Sequence, residues 1–116
     1  MTAQPIIEGF YQAWTAGNLS LARTYLADNL HFRGSLETYD SAEAFMAALG
    51  RFQSMLKDAV MVKCFFGEDG GALLYDCYTS TPIGVMRTAE FFTIRNGKIT
   101  DICLVFDASE FRKMVG

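Results

Sequence analysis

The hydrophobic spacing of the chain changes period about halfway along, and that change constrains the fold more than any other feature. Through the first half, apolar side chains recur every three or four positions, as on one face of a helix. Pro5 suits a first helical turn, and Ile6, Phe10, Ala13 and Trp14 form the stripe behind it. Gly17 ends that helix, and Asn18 can cap a second one carrying Leu19, Ala22, Tyr25 and Leu26. Asp40, with Glu43 three residues on, has the spacing of a capping box. The stripe that follows is Ala42, Phe45, Met46, Leu49, Phe52 and Leu56, widened by Met55. The expected helices are 4–16, 18–27 and 40–57, and in this half only Leu30 to Gly34 suggests a strand.

Beyond this point the pattern is that of strands, expected at 58–67, 72–80, 85–95 and 98–106. They are punctuated by Glu68-Asp69-Gly70-Gly71, by Pro82 to Gly84 and by Asn96-Gly97. Asp107 with Glu110 repeats the capping-box spacing and predicts a short terminal helix through Phe111 and Met114. Helices followed by a sheet predict an α+β fold, with the helices gathered on one face of an antiparallel sheet. At 116 residues there is room for one domain, 1–116, around one core.

Composition excludes several classes of function. The ten Lys and Arg are scattered and the net charge is −3, so no basic stripe can follow a phosphate backbone, and nucleic acid is not an expected partner. No apolar run approaches the ~20 residues of a membrane-spanning helix, and residues 1–10 lack the basic start of a signal peptide. Cys64, Cys77 and Cys103 are widely spaced among strand residues, which suggests buried free thiols in a reducing cytoplasm. A single His and no Cys–X–X–Cys spacing argue against a metal site, and no cofactor is expected.

The strand after Gly84 divides cleanly by parity. Arg87, Ala89, Phe91, Thr93 and Arg95 fall on one side; Met86, Thr88, Glu90, Phe92 and Ile94 fall on the other. The arginines need water, so the second set faces the helices, and Glu90 is the one charge on that inward face. If the preceding connection is centred on Ile83, paired residues sum to 166. Asp76 then opposes Glu90, Tyr78 opposes Thr88, and opposed residues share a face. The Asn96-Gly97 turn admits two registers. A two-residue loop brings Asp101 and Cys103 inward, whereas a three-residue loop with a bulge at Gly97 brings in Thr100, Ile102, Leu104 and Phe106. The second buries more apolar surface and is preferred.

Several segments carry a family resemblance across nearly the whole chain: Phe-Tyr-Gln-Ala-Trp-Thr-Ala-Gly-Asn at 10–18, Tyr-Leu-Ala-Asp at 25–28, and Gly-Lys-Ile at 97–99 through Val-Phe-Asp at 105–107. Together they resemble the nuclear transport factor 2-like superfamily, in its SnoaL-like branch. That resemblance implies a cone, with a bent sheet wrapped around three N-terminal helices on its concave face and a pocket between them. The superfamily hosts isomerases, cyclases, dehydratases, epoxide hydrolases and binding modules, so fold alone assigns no activity. Glu90 falls where ketosteroid isomerases keep a protonated Asp, but Phe10 and Gly34 stand at their tyrosine and general-base positions. Asp76 falls on one catalytic aspartate of limonene epoxide hydrolases, but Leu74 and Leu104 replace the arginine and the second aspartate. SnoaL-type cyclases, with a lone acid–base Asp, are the looser template.

The expected site is therefore a carboxyl pair, Asp76 and Glu90, sharing a proton in a dry pocket lined by Phe10, Trp14, Phe32, Met46, Tyr78, Met86, Phe92 and Leu104. Catalysis, ligand hydrogen bonding and a purely structural role all remain open for the pair. His31 shares a parity that turns it away from Leu30 and Phe32. The expected function is a cofactor-free pocket protein for an apolar, oxygen-bearing small molecule, of isomerase, cyclase or hydratase type. The alternative is a non-catalytic ligand-binding or dimerisation module. Phe65, Tyr75, Cys77, Ala89, Phe91, Cys103 and Val105 are expected on the outer face, where they predict a homodimer.

Overall fold

A computed structural model describes residues 2–107; the helix expected from Asp107 through Met114 lies outside the described residues. Pro5 sits in the first turn of α1 (Gln4–Thr15), which ends ahead of Gly17 at φ +85°. The Asn18 side chain accepts from the Leu21 N–H at 3.2 Å and caps α2 (Leu19–Thr24). This helix stops three residues before its expected end because the chain is drawn into a strand, β1 (Leu26–Arg33): the Ile99 N–H donates to the Tyr25 carbonyl at 2.9 Å. A two-residue strand, β2 (Thr38–Tyr39), leads to α3 (Ala42–Gln53). Ser41, not Asp40, caps α3, accepting from Ala44 N–H at 3.1 Å. Asp40 is engaged elsewhere, by His31 Nδ1 at 2.6 Å. Leu56 and Lys57, expected at the end of α3, already belong to β3 (Leu56–Phe66). The remaining strands are β4 (Gly70–Thr79), β5 (Val85–Arg95) and β6 (Lys98–Phe106).

The strands form one curved sheet in the order β2-β1-β6-β5-β4-β3. All neighbours are antiparallel except β1 and β6, which run parallel. The helices fill the concave side, giving the α+β cone. Ile7, Phe10, Ala13 and Trp14 of α1, and Phe45 and Leu49 of α3, are buried against the sheet. Phe10 wedges between Phe45 (ring centroids 6.3 Å apart) and Phe92 (6.2 Å). Each such ring contributes roughly 1.5–3 kcal/mol by leaving water.

Two registers decide what faces inward. At the β5–β6 turn, Asn96 (φ 52°) and Gly97 (φ 76°) both take left-handed backbone, as a two-residue type I′ turn requires. Arg95 pairs with Lys98 and Ile94 with Ile99, but Thr93 then pairs with Asp101. The bulge is therefore at Thr100 instead of Gly97. Ile102, Leu104 and Phe106 face inward as expected, while Thr100 gives up its inward place to the fully buried Ile99.

The β4–β5 connection departs further. Paired residues sum to 163, not 166: Leu73 opposes Glu90, Tyr75 opposes Thr88, and Asp76 opposes Arg87. The loop is centred between Thr81 and Pro82, ahead of Ile83, because Thr79 closes it, its N–H and Oγ1 reaching the Gly84 carbonyl at 2.7 and 2.9 Å. An odd sum pairs even-numbered residues with odd ones, so every side chain of β4 changes face relative to expectation. Tyr75 and Cys77, expected outside, are buried within the cone.

Candidate functional site

Between the helices and the sheet lies a cavity of about 280 Å³, small beside the ~300–1,000 Å³ usual for drug-sized ligands. Trp14 of α1 and Phe45, Leu49 and Phe52 of α3 supply one wall; Phe32, Met86, Leu104 and Phe106 supply much of the other. The mouth carries Ser35, Leu36, Glu37, Tyr39 and Arg51. Ser35 holds its loop to the end of β6, with Oγ donating to the Phe106 carbonyl and accepting from the Phe106 N–H. Tyr39 Oη donates to Glu37 Oε2.

Glu90 reaches this cavity from β5 and is 2 % exposed. Its Oε1 accepts from Tyr75 Oη at 2.8 Å. Among the described residues it forms no ion pair. Burial therefore pushes its pKa up from 4.5 to about 7, and the Tyr75 hydrogen bond only partly opposes the rise. The Tyr75 hydroxyl is pushed well above 10 by burial and by Glu90, so it stays a donor. Burial likewise lifts the Cys77 thiol, which also lines the cavity, to about 12, leaving it protonated and inert. Tyr11 rises to about 12 for the same reason. The deep wall thus holds a carboxyl that exchanges its proton near neutral pH, among neutral neighbours. Two further buried donors, Tyr11 Oη and Trp14 Nε1, have no hydrogen-bond partner among the described residues.

Of the expected site residues, Glu90, Trp14, Phe32, Met86 and Leu104 line this cavity. Asp76 does not join them. The odd β4–β5 register places it on the outer face, where Arg87 grips it through two bonds, Nε to Oδ1 at 2.8 Å and Nη2 to Oδ2 at 2.9 Å. That guanidinium holds the Asp76 carboxyl below its ordinary range, the opposite of a shared-proton pair. Tyr78 shares the outer parity and is exposed. Phe10 and Phe92 are packed in the core instead of lining the cavity, and Met46 is half-buried against that core. The lining residues missed include Tyr75, Cys77, Phe45 and Phe52. The first two follow from the register, and its signal was the hydroxyl-rich Thr79-Ser80-Thr81 ahead of Pro82. No group of three or more His, Cys, Asp or Glu able to hold a metal exists among the described residues.

A protein from Kribbella flavida has the same fold, with 25% identity, a TM-score of 0.88, and 94% of this chain covering 89% of that one. An NTF2-like protein of unknown function from Cytophaga hutchinsonii matches at 19% identity and TM-score 0.82, over 98% of this chain and 95% of its own. A hypothetical protein from Catenulispora acidiphila with a ketosteroid isomerase-like fold, solved with trimethylamine, matches at 18% identity and TM-score 0.69, over 85% of this chain and 82% of its own. No protein of curated function matches the sequence. The SnoaL-like domain family matches residues 7–102, the stretch that builds both the helical wall and the strands bearing Glu90 and Tyr75. The chain belongs to the SnoaL-like domain family.

Proposed function

We propose that this protein binds a small apolar molecule bearing an oxygen acceptor, and that Glu90 is the acid that engages that oxygen. One observation carries the reading: a carboxyl 2 % exposed on the wall of an apolar cavity, partnered by a neutral hydroxyl. Because Oε1 accepts from Tyr75, the proton of the neutral acid belongs on Oε2, from which it can be donated to a ligand carbonyl, epoxide or hydroxyl. Tyr75 then stabilises the carboxylate left behind, and Glu90 can return as base. This is cofactor-free chemistry of isomerase, cyclase or hydratase type.

A second reading, a binding module without turnover, is favoured by the position of Asp76. With Asp76 outside, the one other carboxyl among the described lining residues is Glu37 at the mouth, which is already engaged by the Tyr39 hydroxyl. The two readings share the ligand contact. Cyclohexanone is a suitable probe, and its binding should weaken roughly tenfold as pH rises from 5.5 to 8.5 and the donor is lost. Carboxyl NMR should show Glu90 titrating near 7 and responding to the ketone, and Glu90→Gln should remove the pH dependence. A Glu90 that titrates at its ordinary value of 4.5 and ignores the ketone would sink both readings.

A second copy of the chain is the partner proposed for the outer face. The row Phe65–Ala72–Phe91–Cys103 crosses four strands, and Leu74–Ala89–Val105 runs beside it. Phe65 is 68% and Phe91 51% exposed, a contiguous apolar patch of the kind that marks an interface. Light scattering should give a dimer at micromolar concentration and a monomer for Phe91→Glu; a monomer in both refutes the pairing. A cytoplasmic location fits the unpaired state of Cys64, Cys77 and Cys103, although only Cys77 is buried, against the expectation for all three.

A further inference from the structure

The cavity that presents a neutral acid at low pH presents, once that acid ionises, a carboxylate on a wall shared with aromatic rings and, among the described residues, without an ion-pair partner. We propose that the ionised pocket is a receptor for a small alkylammonium ion, seated between the Glu90 carboxylate and the rings of Trp14, Phe45, Phe52 and Tyr75. This rests on the preceding reading that Glu90 is reached from the cavity.

The argument begins with what surrounds the carboxyl. From β4 it faces Leu73, Tyr75 and Cys77; from β5, Thr88; from β6, Leu104; and from α1, Tyr11 lies near enough to feel its charge. α3 contributes Phe45, Leu49 and Phe52 to the wall. Asp58 of β3 lies near enough to raise the Tyr11 pKa. None of these groups is a cation. The charges at the mouth, Arg51 and Glu37, have opposite signs.

A buried carboxylate without a partner is costly, and a ligand that brings the missing positive charge relieves that cost. Aromatic rings add attraction for a weakly hydrated alkylammonium, whose charge is spread over its carbons. A strongly hydrated metal cation finds no such match, because one carboxylate is a poor replacement for its water shell. The small cavity volume limits the ligand to a compact head group. Occupancy is coupled to pH in the direction opposite to the ketone: the ammonium must displace the Glu90 proton, so it binds more tightly as pH rises.

Choline and its neutral isostere 3,3-dimethylbutan-1-ol differ by one charge at nearly constant shape, and calorimetry with the two tests the inference. Choline affinity should rise about tenfold per pH unit up to pH about 7 and then level. In buffers of different ionisation enthalpy at pH 6, binding should release close to one proton. The isostere should show neither effect. Glu90→Gln should reduce choline to the affinity of the isostere, and the wild-type comparison decides the matter even if that variant folds poorly. Choline binding at pH 8 no more tightly than the isostere overturns the inference. If cyclohexanone still weakens with pH in that case, the acid role of Glu90 survives. If neither ligand shows a pH dependence, the acid role falls as well.

Discussion

Two carboxylates on adjacent strands, Glu90 on one face of the sheet and Asp76 on the other, are treated oppositely. On the concave face Glu90 has lost its water and gained one neutral donor, Tyr75, so its proton is held up to about pH 7. On the convex face Asp76 has gained a bidentate guanidinium and its pKa falls. Both are hydrogen-bonded. What separates them is whether the partner carries a charge, and that follows from the side of the ribbon each residue occupies. The contrast teaches that a carboxylate in a SnoaL-like cone is an acid–base candidate because of its facing, not because of its residue type.

The largest effect that would break this contrast is on stability against pH. Glu90 holds its proton more tightly folded than unfolded, so its contribution is fully present below pH 4.5 and is lost as pH rises through about 7. A shift from 4.5 to about 7 corresponds to about 3 kcal/mol. Urea unfolding of the wild type should therefore weaken between pH 5 and pH 8 by an amount that Glu90→Gln lacks. Parallel pH profiles for the two proteins would mean that Glu90 is solvated in solution.

A smaller effect tests the donor. Tyr75→Phe removes the one hydrogen bond that favours the ionised form. The Glu90 midpoint should move further up by carboxyl NMR, and stability at pH 8 should fall by about 1–2 kcal/mol while stability at pH 5 changes less. An unmoved midpoint would show that burial alone sets the acid.

The smallest effect belongs to the convex face. Asp76→Asn should leave stability at pH 7 almost unchanged, because Arg87 is open to solvent and surface ion pairs of this kind contribute little. The depressed pKa makes the pair's contribution present above pH 3.8 and lost as pH falls below it, so only strongly acidic unfolding should separate variant from wild type. Cyclohexanone affinity should not respond. A loss of ketone binding in Asp76→Asn would return Asp76 to the site and overturn the two-face contrast.

The facing of Glu90 was legible in the sequence because β5 alternates without exception: Arg87 and Arg95 declare the wet side, and Met86, Phe92 and Ile94 the dry one. β4 makes no such declaration. Ala72, Leu73, Leu74 and Tyr75 satisfy either face, so its orientation depended wholly on where the turn was centred. Placing the centre at Ile83 overlooked Thr79, whose hydroxyl and amide close the loop on Gly84. An error of three in the register sum exchanged Asp76 for Tyr75 at the cavity wall. The β5–β6 hairpin shows the converse. Its turn was misassigned, yet a bulge at Thr100 restored the parity, and Leu104 and Phe106 arrived where the apolar pattern demanded. The helices were legible in kind and order, but their C-terminal ends were not, because strand pairing at Leu26 and Leu56 takes over residues with good helical spacing.

The single parallel pair has a consequence for how the protein is made. β1 pairs with β6, joining Leu26 to Ile99 and Arg33 to Cys103 across most of the chain. Such sequence-distant closure is slow to form. On the ribosome β1 and β2 must wait, with no sheet to join, until nearly all the later strands have been synthesised. Leu104 and Phe106 belong to that last strand, so the cavity has no complete wall before then. The burial that raises the Glu90 pKa therefore depends on a wall completed by β6. A ligand that prefers the finished pocket can act as a late folding aid, stabilising the closed cone without having guided any earlier step.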